Sequence, residues 1–239
     1  MNEFYQNLDP ALLWTIIIVW IINVTITYIL SFYTLIKYSK SDRESRSRDE
    51  KENIITWVFY FIFIGIANTM NIFHSFFLEG ELLVDFVDGI SNYFIYASWL
   101  VKVFPIERLL KRHNTLNTRY LFTFCYIILI IFAFAVNPIN IVTNELYITI
   151  FLILSNIAKA IFIGVYLYFA VKSFGQLRRD ALKVAAGVLI LDLGMTLQPV
   201  SLIAIFPDLI AIIPYLSIVG TLIVVFAMLL LFDSYRKIV

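Results

Sequence analysis

The chain has 239 residues, of which 61% are hydrophobic, 17% aromatic and only 15% charged, with a formal net charge of +1. Water-soluble globular chains run nearer about 45–50% apolar and about 25% charged. The balance therefore excludes a water-soluble enzyme, a disordered tail and a basic nucleic-acid-binding domain, and the single cysteine, Cys125, excludes an internal disulfide or a cysteine-based zinc site.

Seven segments hold the roughly 20 mostly apolar residues that a spanning helix needs. In chain order they are about 11–36, 54–78, 83–104, 120–137, 147–171, 184–206 and 208–232. The breaks between them are sharp. Residues 39–53 contain no apolar residue, Glu79-Gly80-Glu81 reads as a tight turn, and the stretches from Pro105 to Arg119 and from Lys172 to Lys183 are basic. The first ten residues hold two acids and no Lys or Arg, and no small-residue cleavage site follows the first apolar run. That run is expected to be a helix rather than a signal peptide. The expected fold is all-α: a polytopic, seven-transmembrane helix bundle forming a single domain over residues 1–239.

Of the 18 Lys and Arg residues, 17 fall on one side under alternating spans, and the other side carries only acids such as Glu3, Asp9, Glu79, Glu81 and Asp208. The excess of positive charge on cytoplasmic loops then puts the N-terminus outside and the C-terminus in the cytoplasm. The expected location is the cell membrane, as a multi-pass protein with the lipid bilayer as its first partner.

The remaining base is Lys159, with 12 residues of the fifth segment on either side of it. At about 1.5 Å per residue it stands about 18 Å from each border. A charge at that depth costs about 2.5–3.5 kcal/mol on insertion scales and should face the bundle interior with a partner. Asp192 in the sixth segment is the expected partner, and Asp88 in the third is a second candidate. A structural ion pair that fixes helix order and a functional charge, such as a ligand counter-ion or a proton relay, remain alternatives.

Polar residues recur at helical spacing in other segments. The first has Asn23, Thr27, Ser31 and Thr34, the second Asn68, Asn71 and Ser75, and the third Asp85, Asp88, Asn92, Tyr96 and Trp99. Small and amide residues in spans serve helix packing. Asn68, Asn71, Asp88 and Asn92 also point to a cavity open toward the outside, with Trp20, Tyr93, Tyr96, Trp99 and Tyr215 as aromatic walls. Pro199 and Pro214 fall inside the last two segments, where each is expected to kink its helix. The only histidines, His74 and His113, fall on opposite sides, so no bis-histidine haem or zinc centre is expected. No nucleophile–base or phosphate-binding motif is present. The expectation is no enzyme, no catalytic residue, no metal, no cofactor and no nucleic-acid partner.

Residues 166–201, YLYFAVKSFGQLRRDALKVAAGVLILDLGMTLQPVS, carry an Arg178-Arg179 pair before Ala181-Leu182 and glycines at Gly187 and Gly194. In these features the hairpin resembles the fifth and sixth helices of the seven-transmembrane sensor domains of archaeal and bacterial histidine kinases. The resemblance departs in having no kinase domain after Val239. It implies a sensor that signals through a separate cytoplasmic or membrane partner, and no catalytic residue. The expected function is thus a seven-helix receptor or sensor with a polar intramembrane site that takes a small ligand from the outer side. The site is built from Lys159, Asp192, Asp88, Asn68, Asn71, Asn92, Tyr96 and Trp99. The alternatives are a small ion- or proton-coupled carrier using Lys159 and Asp192, and a structural membrane subunit without a ligand.

Overall fold

Asp9 and Pro10 start the first helix. The Asp9 carboxylate accepts hydrogen bonds from the backbone N–H groups of Ala11 (3.1 Å) and Leu12 (3.2 Å). Proline loses nothing at a first helical position, where its missing N–H has no intrahelical partner. This helix is α1 (Pro10–Lys40) of a computed structural model that describes residues 8–40, 48–77, 81–112, 120–136, 145–197 and 211–236. Six more follow: α2 (Arg48–Ile72), α3 (Glu81–Arg112), α4 (Leu121–Val136), α5 (Glu145–Lys172), α6 (Gly175–Thr196) and α7 (Ile213–Arg236). Among the described residues there are seven α-helices and no strand, so the protein is all-helical. α2 runs on into a π-helical turn, Phe73–Phe77.

Among the described residues three helices are long and apolar enough to cross a membrane: Pro10–Lys37, Lys51–Phe77 and Ile213–Ser234. Their 22 to 28 residues extend about 33–42 Å, against a hydrocarbon core of about 30 Å. Leu121–Ile131 is a shorter apolar stretch.

The chain divides into two compact units. The first is Tyr28–Ile161 with Met1–Asn2, and the second is Glu3–Thr27 with Phe162–Val239. In the first unit α2 packs on α3 and α3 on α4. Its core repeats at helical spacing: Ile54, Trp57, Phe61 and Ile64 on α2, Tyr96, Trp99 and Val103 on α3, and Tyr126 and Leu129 on α4 are all buried. Gly65 leaves room for the Tyr28 ring, whose hydroxyl lies 3.3 Å from Thr69 Oγ1. In the second unit α6 packs on α7. A Cβ added to Gly194 would lie 2.8 Å from the Gly220 carbonyl oxygen, and one on Gly220 would lie 2.8 Å from the Gly194 carbonyl oxygen. The two backbones approach as only small residues permit. An ion pair between Lys183 and Asp233 joins the same two helices.

Several elements depart from what composition suggests. α3 does not stop before Pro105 but runs through it to Arg112. A proline inside a helix removes one backbone hydrogen bond and costs about 3 kcal/mol. Here the surrounding residues are held from outside the helix, as Arg108 pairs with Glu52 at 3.1 Å and Glu107 bonds to α4. The basic stretch before residue 184 is not a loop, because α6 begins at Gly175. Phe174 is extended there and Gly175 has φ +62, a left-handed conformation that glycine adopts without a Cβ clash. Pro214 is the second residue of α7, where its absent N–H is not needed, so it opens the helix rather than kinking it. Pro199 lies outside the described residues, as does His113.

Candidate functional site

The polar spacing read from the sequence converges where α2 faces α3. Asn68 and Asn71 sit on the last turns of α2, and Ser91 and Asn92 on the facing part of α3. Ser91 Oγ lies 2.6 Å from Asn71 Oδ1 and 3.1 Å from the Ala67 carbonyl oxygen. With one hydrogen to give, the hydroxyl donates to one of these acceptors at a time. Asn68 is buried, and its Nδ2 has no hydrogen-bond partner among the described residues. An amide donor left unpaired away from water costs about 1–3 kcal/mol, which an incoming acceptor would recover. The π turn follows within two residues of Asn71, burying Ser75 and Phe76. Such wide turns often stand at functional positions. His74, in the same turn, is half-buried.

Tyr96 and Trp99 are buried further along α3, and Trp99 meets the buried Tyr60 edge-on at 6.0 Å. Asn92 is half-buried. The side chains of Asp85 and Asp88 lie outside the described set. Lys159 is half-buried on the part of α5 that belongs to the first unit, and Asp192 is half-buried on α6 in the second. Tyr215, expected as an aromatic wall, is exposed on α7. It is the third residue of that helix and is exposed, whereas Ile213 and Pro214 before it are buried.

The structure adds a residue that composition had placed among the loop cations. Lys102 is only 2% exposed. Its ammonium donates to Asn53 Oδ1 (3.1 Å) and Thr56 Oγ1 (3.3 Å) on α2. It also stands 3.9 Å from the centroid of the Trp57 ring, within cation–π range. Among the described residues these partners are an amide, a hydroxyl and an indole face, all neutral. A buried cation thus stands on α3, apart from the half-buried Lys159. A signal for Lys102 exists in the sequence: Ser91, Ser98 and Lys102 recur at i, i+7 and i+11, and all three are buried. The helix period simply continues past the point where charge had seemed to end the span.

Nearby, the buried Glu107 carboxylate accepts from the backbone N–H groups of Phe122 (3.0 Å) and Thr123 (2.8 Å), and from the Thr123 hydroxyl. A side chain of α3 thus caps the first turn of α4 and brings negative charge to the positive end of that helix. Tyr126, two turns into α4 from its start, donates its hydroxyl to the Ala158 carbonyl of α5 at 2.8 Å.

The α1 stripe is buried along its whole length: Asn23, Thr27, Ser31 and Thr34. Thr27 and Thr34 bond back to carbonyls of their own helix, and Ser31 donates to Val58 O on α2 at 3.2 Å. On α7 the buried face includes Ser217, Gly220 and Thr221, while Tyr215, Val219, Leu222, Phe226 and Leu229 are exposed. Large apolar side chains outside and small polar ones inside reverse the pattern that water imposes. Among the described residues no group of three or more His, Cys, Asp or Glu is placed to hold a metal ion. Comparison with known protein families, curated proteins and solved structures finds no match to this chain.

Proposed function

We propose that the chain is a seven-helix, multi-pass protein of the cell membrane, of receptor or sensor type. In this reading it receives a small ligand from the outer side and signals through a separate partner. What supports a ligand site is the α2–α3 contact, where Asn71 and Ser91 bond to each other near Asn68, whose Nδ2 has no partner among the described residues. Asn68, Asn71 and Asn92 line the site with hydrogen-bonding groups, and Asp88, expected there from the sequence, lies outside the described side chains. Tyr96 and Trp99 close it on the inner side, and Lys159 supplies positive charge for an anionic group. A site of this composition can bind and orient a small polar ligand; it holds no nucleophile–base pair for covalent chemistry.

The test is directional access. In a Cys125→Ser background, a cysteine replacing Asn92 should react with a membrane-impermeant maleimide applied from the outer face and not from the cytoplasmic face. Reaction from both faces would point to a carrier, and reaction from neither to a structural subunit. Either result overturns the sensor reading.

A further inference from the structure

At the corner where α5 turns into α6, three apolar side chains stand out from the protein. Val171 is 77% exposed, Phe174 84% and Leu177 64%. Interleaved with them are Lys172, Arg178 and Arg179, all exposed. Among the described residues none of these six has an ion pair or hydrogen bond of its side chain. Among the described residues, the acids of α6 and α7 nearest the corner in sequence or pairing, Asp180 and Asp233, are engaged elsewhere. Asp180 is buried and accepts from Gln176 Nε2 at 2.9 and 3.1 Å, and Asp233 is paired with Lys183. The outward surface is therefore cationic and apolar at once.

Water suits the three cations but not the three apolar groups, and hydrocarbon the reverse. The boundary between acyl chains and anionic headgroups suits both. We infer that the α5–α6 corner is an interfacial anchor that seats on anionic phospholipids of the inner leaflet. Lys172, Arg178 and Arg179 take the phosphates, and Phe174 and Leu177 enter the acyl boundary. The inference rests on the multi-pass reading above, which brings this corner to the cytoplasmic surface. Charge complementarity selects the occupant: the inner leaflet is negative, and each Lys or Arg near it contributes about fivefold to association. Gly175 serves this geometry, since its left-handed backbone turns the chain between Phe174 and Leu177 without a loop.

The experiment is a depth measurement on the full chain in lipid nanodiscs, in a Cys125→Ser background. A nitroxide label is placed on a Phe174→Cys variant and, separately, on a Leu222→Cys variant. Leu222 lies mid-way along α7 and is exposed, so its label reports whether that helix meets lipid at all. With phosphatidylglycerol present, the label at 174 should collide more with oxygen than with a water-soluble nickel complex. Adding Arg178→Gln and Arg179→Gln should shift it toward water, as should discs of phosphatidylcholine alone. Lipid at 222 with water at 174 in the phosphatidylglycerol discs overturns the anchor only, and leaves the corner to a protein partner. A label at 174 whose depth ignores both arginines and lipid charge also overturns it. Water at both positions overturns the multi-pass reading and the anchor with it.

Discussion

Lys102 shows how an interior charge can be held by neutral groups. Its ammonium stands over the Trp57 ring and donates to Asn53 and Thr56. Removing the charge and removing its support should then differ in effect. Lys102→Met gives up the cation–π contact but puts an apolar chain of similar length beside Trp57, and it strands nothing buried. Asn53 is half-buried and can be hydrated, and the Thr56 hydroxyl still donates to the Asn53 carbonyl at 2.7 Å. Its stability should fall within about 1 kcal/mol of the parent. Asn53→Leu leaves the ammonium short of an acceptor and should cost about 1–3 kcal/mol. Thermal melts in detergent, followed by circular dichroism, compare the two; equal losses would show that the charge itself is needed. At this scale the polar positions Asn68, Asn71, Tyr96 and Trp99 were legible as a helical stripe, because period survives without knowledge of neighbours. The role of Lys102 was not, because a cation at the foot of an apolar segment counts as a loop residue until its partners on another helix are known.

Elements were legible where hydropathy alone decides them and obscure where tertiary contacts overrule local chemistry. Pro105 reads as a stop, yet the Glu52–Arg108 pair and the Glu107 bonds hold α3 through it. Residues 175–183 read as a basic link because charge masks their period. The buried positions Asp180, Ala181, Val184, Ala185 and Val188 already form the inner stripe of α6. That helix meets α7 through glycine, which sets the next expectation. Gly194→Ala would put a methyl group 2.8 Å from the Gly220 carbonyl oxygen and from Val224 Cγ2. The helices would have to separate, at about 1–3 kcal/mol. Gly164→Ala on α5 is the comparison, since no atom lies within 4 Å of its added Cβ; it should be neutral or stabilising. Both are read from melting temperature in the same detergent. A loss at Gly164 equal to that at Gly194 would mean that close approach is not what the glycine provides.

At the scale of the whole molecule the informative property is that α1 and α7 bury polar stripes while large apolar side chains of the same helices stay exposed. Asn23, Thr27 and Ser31 of α1 and Ser217 and Thr221 of α7 are buried, whereas Trp14, Phe32, Leu222 and Phe226 are exposed. Apolar composition made the all-helical fold legible before any coordinates. The number of crossings was less so, because among the described residues three helices meet the length and hydropathy needed. Seven crossings and three make opposite predictions for one experiment. In cells carrying a Cys125→Ser background, cysteines are placed at Asp9, before α1, and at exposed Gln176, early in α6. If all the helices between them cross, five crossings separate the two sites. An impermeant maleimide outside intact cells should then label the cysteine at 9 and spare the one at 176 until the cells are opened. If only α1, α2 and α7 cross, both sites lie on one side and both label, or neither does, in intact cells.

The Glu107 carboxylate has a consequence for handling the protein. Because α3 itself terminates the first turn of α4, the start of α4 does not depend on the connecting chain. Lengthening that connection should cost only closure entropy, about 0.6 kcal/mol per doubling of its length. Between Arg112 and Tyr120 there is accordingly an address where an epitope or a fluorescent reporter can be spliced in while the junction it interrupts stays assembled.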